Sequence, residues 1–351
     1  MSSIPTDNRL YSVPPSDSAL AGWRALPPEY AIPERAPSLE EAEQYCARLA
    51  HSHYENFSVV TWFLPQHLHQ HFYNVYAYCR ISDDLGDEVG DPQMALALLD
   101  AWEAELNATY LSLVEPPLRD VRKSIEELER EGSGTRVQGS GTSPRHPVFI
   151  ALRETIREFD IPRAPFANLL TAFRQDQTVT RYPTFEDLLG YCLNSANPVG
   201  QLVLYVCGYR DAERQQLSDY TCTALQLANF WQDVAVDYGK GRIYLPLESL
   251  TKFGVSEDDI AQRRCTPQFR EMMKFEVARA RDWFQRGLPL AGKVDKHLAL
   301  DIELFSRGGQ EILNAIERQN YDVLSNRPAI SKPRKLALVA SAAAKALWSR
   351  L

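Results

Sequence analysis

From Ser38 to the end of this 351-residue chain, apolar residues recur every three or four positions, and no stretch alternates apolar with polar for the length of a strand. That period limits the chain to helix packed on helix, an all-α fold. The first helix is marked by S-L-E-E at Ser38 to Glu41, a capping box in which the serine and glutamate side chains satisfy amides of the first turn. Helices are expected over 38–53, 68–89, 94–112, 117–131, 147–159, 163–174, 184–208, 211–238, 255–263, 266–288, 296–319 and 332–348. The proline-rich segment 1–37 lacks the period and is expected to lie extended against the body through Tyr11, Trp23 and Tyr30. The glycine- and serine-rich run 132–144 reads as a flexible surface loop within one helical domain, 38–351.

Composition narrows the partners. Hydrophobic residues make up 44%, enough for one large core, and the net charge of -8 argues against nucleic acid, which needs a basic footprint. An anionic small substrate stays open, because a divalent cation inverts local charge. The six cysteines are scattered and contain no C-x-x-C pair, the pattern of reduced thiols in a cytoplasmic protein. The first residues show no charged start followed by an apolar run, so no secretion signal is expected. No apolar run reaches the ~20 residues that span a bilayer. The chain is therefore expected to be cytoplasmic. The apolar tail 335–351, with Lys335, Lys345 and Arg350, suits peripheral contact with the inner membrane as well as packing on the body.

Two segments concentrate acid. In Y-A-Y-C-R-I-S-D-D-L-G-D-E, Tyr76 to Glu88, a helix puts Asp83 and Asp87 one turn apart on one face, with Arg80 beside them. In Q-L-A-N-F-W-Q-D-V-A-V-D, Gln226 to Asp237, the residues Asn229, Asp233 and Asp237 follow at i, i+4 and i+8. Like charges at that spacing repel, so a chain that does this twice among apolar neighbours calls for a cation. Oxygen donors of this kind suit Mg2+, which completes its octahedron with water and substrate phosphate. One such motif alone is usually a solvated acidic face. Two of them, with Arg80 and the K-G-R run at Lys240 to Arg242 nearby, make a diphosphate clamp.

Other signals point elsewhere. In Q-H-L-H-Q-H only His67 and His71 share a helical face, and no carboxylate follows at a metal-binding offset, so a zinc site is not expected. G-K-G at Gly239 to Gly241 lacks phosphate-loop spacing and reads as a helix terminator.

With these motifs in order, the sequence resembles the squalene/phytoene synthase family from about residue 45 to 335. The matching pieces also include F-S at Phe57-Ser58, L-P at Leu64-Pro65, Y-C-L-N-S-A-N-P-V-G at Tyr191 to Gly200, and G-R-I-Y-L-P at Gly241 to Pro246. The resemblance implies an isoprenoid synthase fold with a central cavity and the aspartates at its mouth. It places Asp83, Asp87, Asn229, Asp233 and Asp237 on Mg2+. It sets Tyr76, Arg80, Gln226 and Arg242 around the diphosphate, where Lys240 of the K-G-R run would join them, and Tyr191 beside the reacting carbons.

Departures from the family pattern sharpen the expectation. Gln232 stands where relatives that join two prenyl diphosphates carry arginine, which would leave one permanent cation fewer at the site. S-A-N-P-V-G replaces V-A-G-x-V-G, and H-Y-E-N, His53 to Asn56, replaces a serine-rich run. Gly309 stands where a tyrosine is often found. Together these resemble the bacterial hydroxysqualene synthases of hopanoid pathways, which act on presqualene diphosphate. Such an enzyme would be coupled to a presqualene diphosphate synthase and a squalene-forming reductase. Pro198 should kink its helix, freeing a carbonyl beside Asn194 and Asn197 that would hold one water; the same asparagines would equally serve to cap the broken backbone. No dinucleotide fingerprint is visible, so NADPH is not expected. The alternatives are a condensing enzyme making presqualene diphosphate, squalene or phytoene, and a non-catalytic relative acting as a binding or assembly subunit.

Overall fold

The computed structural model describes residues 26–52, 64–113 and 143–348. Tyr11, Trp23, His53 to Asn56, the F-S pair, the helix expected at 117–131, nearly all of the 132–144 loop and Arg350 lie outside these residues.

Thirteen α-helices make up the described body. They are α1 (Leu39–Ser52), α2 (His69–Asp87), α3 (Pro92–Leu113), α4 (Pro147–Phe159), α5 (Arg163–Gln175), α6 (Phe185–Ser195), α7 (Asn197–Val206), α8 (Ala212–Gly239), α9 (Leu247–Phe253), α10 (Glu257–Ala261), α11 (Pro267–Gly287), α12 (Lys296–Arg318) and α13 (Lys332–Trp348). Among the described residues the one β-type pairing is an isolated bridge between Arg181 and Ile243. None of the described helices is long and apolar enough to cross a membrane.

Two apolar cores sit side by side. The first joins α1 to α5 with α7 through Phe72, Tyr78, Trp102, Phe149 and Phe166, all essentially without exposure. The second surrounds α8, which packs against α7, α11 and α12, and is centred on Trp231, Phe269 and Phe284. The Trp231 indole donates to the Glu276 carbonyl at 3.1 Å and fixes the rotation of α8 on α11. Because Trp231 points inward, Asn229, Asp233 and Asp237 face away from the second core.

The helix expected over 184–208 is broken in two at Ala196. Pro198 is the cause: it has no amide to continue the ladder and instead sits in the first turn of α7, where none is needed. The helix expected at 255–263 shortens to α10. The run after Pro246 winds into α9, which its length of one or two turns hid from the periodic pattern. The histidines take structural partners: His69 contacts the Leu64 carbonyl and His71 the Thr155 hydroxyl, each at 3.0 Å.

Candidate active site

The last two turns of α2 form one wall of the site. Gly86 lets this helix approach α5 closely, since a Cβ there would come within 3.2 Å of the Phe173 Cβ. The Gly86 carbonyl accepts from the Gln177 amide at 2.9 Å, tying the wall to the loop after α5. Arg80 grips Asp84 with two nitrogens, Nε at 3.0 Å and NH2 at 2.5 Å, while NH1 stands 3.9 Å from Asp83. Tyr76 lies half-buried one turn earlier, close to Arg80.

The second wall is the C-terminal part of α8. Asp233 is paired with the Arg327 guanidinium, whose NH2 reaches its Oδ2 at 3.0 Å, and with the Asn229 amide nitrogen at 3.0 Å. Gln226 is half-buried a turn before them. The helix stops at Gly239, and Gly241 turns with φ 82, a conformation that suits glycine. This turn throws Lys240 and Arg242 across to the first wall. Arg242 NH2 lies 2.9 Å from Asp87 Oδ1, and Lys240 Nζ lies 3.7 Å from Asp87 Oδ2. The two acidic motifs, distant in sequence, thus meet.

Gln232 turns away from the mouth, its amide donating to the Pro328 carbonyl at 2.5 Å. The expectation of one cation fewer is corrected here: Arg327, from the segment after α12, reaches Gln232 Oε1 at 3.3 Å and stands over Asp233. Arginine at 232 is absent, yet the motif keeps a guanidinium.

The carboxyls repel one another. Lost hydration raises Asp83 to about 6, the Asp87 and Asp84 charges add to this, and Arg80 and Lys240 oppose it. Its side chain stays 50% exposed, so this is the crowding of a mouth and not of a core. Burial followed by the Asp233 charge raises Asp237 to about 7, with Asp87 contributing from across the gap.

A further carboxylate joins them that the motifs did not reveal. Asp176, just beyond α5, accepts the Tyr191 hydroxyl at 2.8 Å, while its Oδ1 is buried without a protein partner. Burial raises it to about 7, against the hydrogen bond from Tyr191 and the Arg242 charge, with Asp87 and Asp83 pushing it further up.

Beneath the acids lies an aromatic wall. Tyr244 stacks on Phe230 at 3.9 Å between centroids, and Tyr182 and Tyr191 each stand 5.8 Å from Tyr244. Tyr191 is therefore in the site, with its hydroxyl committed to Asp176. Asn197 is fully buried and accepts from the Thr223 hydroxyl at 2.9 Å, which pins α7 to α8. Asn194 is half-buried at the end of α6, and beside it the Ser195 hydroxyl is buried without a protein partner.

Among the described residues, no three acidic, histidine or cysteine side chains converge as a ready-made metal cage. The donor set nevertheless fits magnesium, which takes one or two carboxylates per ion and draws its other oxygens from water and phosphate. The orphaned Asp176 Oδ1 and the raised Asp83 and Asp237 are carboxyl groups short of a cation. As placed, Asn229 offers its nitrogen to Asp233, so its oxygen would serve a metal only after the amide turns over.

An all-α body that closes two acidic helices over stacked rings has the build of an isoprenoid synthase, a class of enzymes acting on prenyl diphosphates. The chain belongs to the squalene/phytoene synthase family, whose model matches residues 50–334. It is 30% identical to the 15-cis-phytoene synthase of Synechococcus elongatus, covering 87% of this chain and 94% of that one. It is 26% identical to the chloroplastic phytoene synthase of Cucumis melo, over 98% and 78% of the two chains. Among solved structures, the squalene synthase HpnC from Alicyclobacillus acidocaldarius is 42% identical, with a TM-score of 0.68 over 86% of this chain and 98% of that one. A dehydrosqualene synthase at 24% identity and TM-score 0.69, covering 88% of this chain and 97% of that one, shares the fold.

Proposed function

We propose that this protein converts presqualene diphosphate to hydroxysqualene and diphosphate in a Mg2+-dependent reaction, without NADPH. The observation that carries the reading is the Arg242–Asp87 contact at 2.9 Å, which joins the two acidic walls, with Arg242 near Tyr244 of the ring cluster that includes Tyr191 and Phe230. A leaving diphosphate and a nascent carbocation need these two environments side by side.

Arg80, Lys240 and Arg242, with Tyr76 and Gln226 at the edge, would bind the diphosphate. Asp83, Asp87, Asn229, Asp233 and Asp237 would hold the metal, with Asp176 as a further oxygen donor. Magnesium held there would neutralise the diphosphate and make it a better leaving group. The substrate C–O bond then breaks with its electron pair on the diphosphate. Aromatic faces stabilise the cation by about 1–2 kcal/mol each once water is excluded. The broken helix at Ala196, with Asn194 and the orphaned Ser195 hydroxyl, holds the one water that adds to the rearranged cation. The released diphosphate takes its proton. Asn197 serves this water through the α7–α8 register it fixes.

Two packing facts weigh against a condensing reaction. Gln232 is tied to Pro328, and the guanidinium beside it, that of Arg327, is paired with Asp233, so neither is turned to a second diphosphate. A side chain at Gly309 would collide with Phe284 Cζ and come within 2.8 Å of Leu225 Cδ2, so the place of the usual tyrosine is already filled. The deciding assay is product analysis after incubation with presqualene diphosphate and Mg2+ without reductant, beside farnesyl diphosphate alone. Hydroxysqualene from the first and nothing from the second is expected. Presqualene diphosphate, squalene or phytoene formed from a simple prenyl diphosphate would overturn the reading, and no diphosphate release with either substrate would leave a binding subunit.

A further inference from the structure

We infer that Tyr30, which lies ahead of the family-matched segment, is a positioning residue of the diphosphate site, acting through Asp84 on Arg80. The inference rests on the reading of Arg80 as a diphosphate ligand.

Its starting point is a buried charge. Asp84 is 5% exposed, and a carboxylate taken so far from water must be fully paired. It receives three hydrogen bonds: two from Arg80, and one from the Tyr30 hydroxyl to Oδ2 at 2.8 Å. The pairing with Arg80 is of the two-point kind that fixes the plane of a guanidinium as well as its distance. With Nε and NH2 committed to Asp84, NH1 is the nitrogen turned toward Asp83 and the mouth. The pose of Arg80 is thus set by where the Asp84 carboxylate points, and Oδ2 is held from the far side by Tyr30.

Tyr30 is itself well placed. The 3-10 turn Pro28–Tyr30 closes with the Tyr30 amide donating to the Pro27 carbonyl at 2.9 Å, and the side chains of Leu26 and Tyr30 are buried in the first core at 7% and 4% exposure. Removing the hydroxyl leaves Oδ2 with the Arg80 Nε as its donor and frees Asp84 and Arg80 to turn together. The cost falls on binding of the leaving group, since the rings and the second wall are untouched.

The experiment uses the full chain with Tyr30→Phe, and Tyr110→Phe as control. Tyr110 also donates its hydroxyl to a partner within the first core, the Ile161 carbonyl at 2.9 Å, away from the acidic walls. Binding of inorganic diphosphate in the presence of Mg2+ is measured by calorimetry, with thermal melts alongside. Tyr30→Phe is expected to weaken diphosphate binding about tenfold, the scale of a lost supporting hydrogen bond to a ligating group. With the prenyl diphosphate substrate, KM rises similarly and kcat stays within twofold. Tyr110→Phe lowers the melting temperature as much and leaves binding within twofold. Unchanged binding in Tyr30→Phe, or equal weakening in both variants, overturns the inference. If the unmodified chain fails to bind Mg2+–diphosphate, the diphosphate reading itself falls, and the role of Tyr30 with it.

Discussion

The two acidic helices carry the same spacing of aspartates but are held in opposite ways. On α2, Asp84 is locked by Tyr30 and Arg80, and Asp87 is met by Arg242 and Lys240. On α8, Asp233 has Arg327, while Asp237 stands near Asp233 and Asp87 with its proton affinity raised to about 7. The first wall is prebuilt by contacts from three other segments. The second carries the surplus negative charge, which Lys240 and Arg242 offset in part and a bound cation would relieve.

The largest test of this contrast replaces one carboxylate on each side. Asp87→Asn and Asp237→Asn should each lower Mg2+-dependent diphosphate release about a thousandfold, the scale for losing one preorganised charged contact in a closed site. Their metal-free stabilities should part. Asp237→Asn removes a repelled charge and should melt higher than the unmodified chain in EDTA at pH 8. Asp87→Asn strands Arg242 and Lys240 and should melt lower. If both shift the same way, the contrast between the walls is wrong.

A smaller effect separates the two cations that cross the gap. Arg242 is 16% exposed and 2.9 Å from Asp87, whereas Lys240 is 54% exposed and 3.7 Å away. Arg242→Gln should cost about fiftyfold in kcat/KM, and Lys240→Gln about threefold, because an exposed pair is screened by water. Steady-state kinetics of both variants at one ionic strength checks the ranking.

Much of this was legible before any coordinates. Pro147 marks the start of the helix over 147–159, and the i, i+4 spacing of Asp83 and Asp87 and of Asn229, Asp233 and Asp237 puts five ligand candidates on two helices. What escaped has a common cause. Asp176 is a lone acid at a helix end, and no spacing marks it. Tyr30 packs on the body as its aromatic side chain suggests, but its bond to Asp84 is hidden, because that aspartate lies between two more conspicuous ones. Arg327 reaches the second motif through a loop. Tyr244 could have been found: in R-I-Y an extended chain puts Arg242 and Tyr244 on one side and the buried Ile243 on the other.

The raised carboxyls of both walls, with Asp176 between them, also set how the metal requirement should depend on pH. Asp83 at about 6, and Asp176 and Asp237 at about 7, bind protons in the range where they must bind metal. Protons and Mg2+ compete for the same oxygens, so raising the pH from 6 to 8 should lower the half-saturating Mg2+ concentration about tenfold. A titration of activity against Mg2+ at four pH values measures it. A pH-independent requirement would detach these carboxylates from the metal.

The smallest effect guards against reading every raised carboxyl as a ligand. Asp301, near the start of α12, is 2% exposed, with both oxygens lacking a protein partner, and lies raised to about 8 by burial first and by Asp295 second. No charge from either acidic wall contributes to it, unlike Asp83 and Asp237. Between about pH 4 and pH 8 the folded chain keeps a proton here that the unfolded chain has released, so stability from this group is full at low pH and drains away as pH rises. Asp301→Asn supplies a neutral side chain of the same shape and removes that dependence. The variant should match the unmodified chain at pH 4 and pull ahead of it steadily as the pH rises to 8, by several degrees in melting temperature. Mg2+ should stabilise both chains equally. If instead Asp301→Asn lowered the response to Mg2+, the metal would reach the interior near Asp301, and the assignment of cation binding to the two facing walls would have to be redrawn.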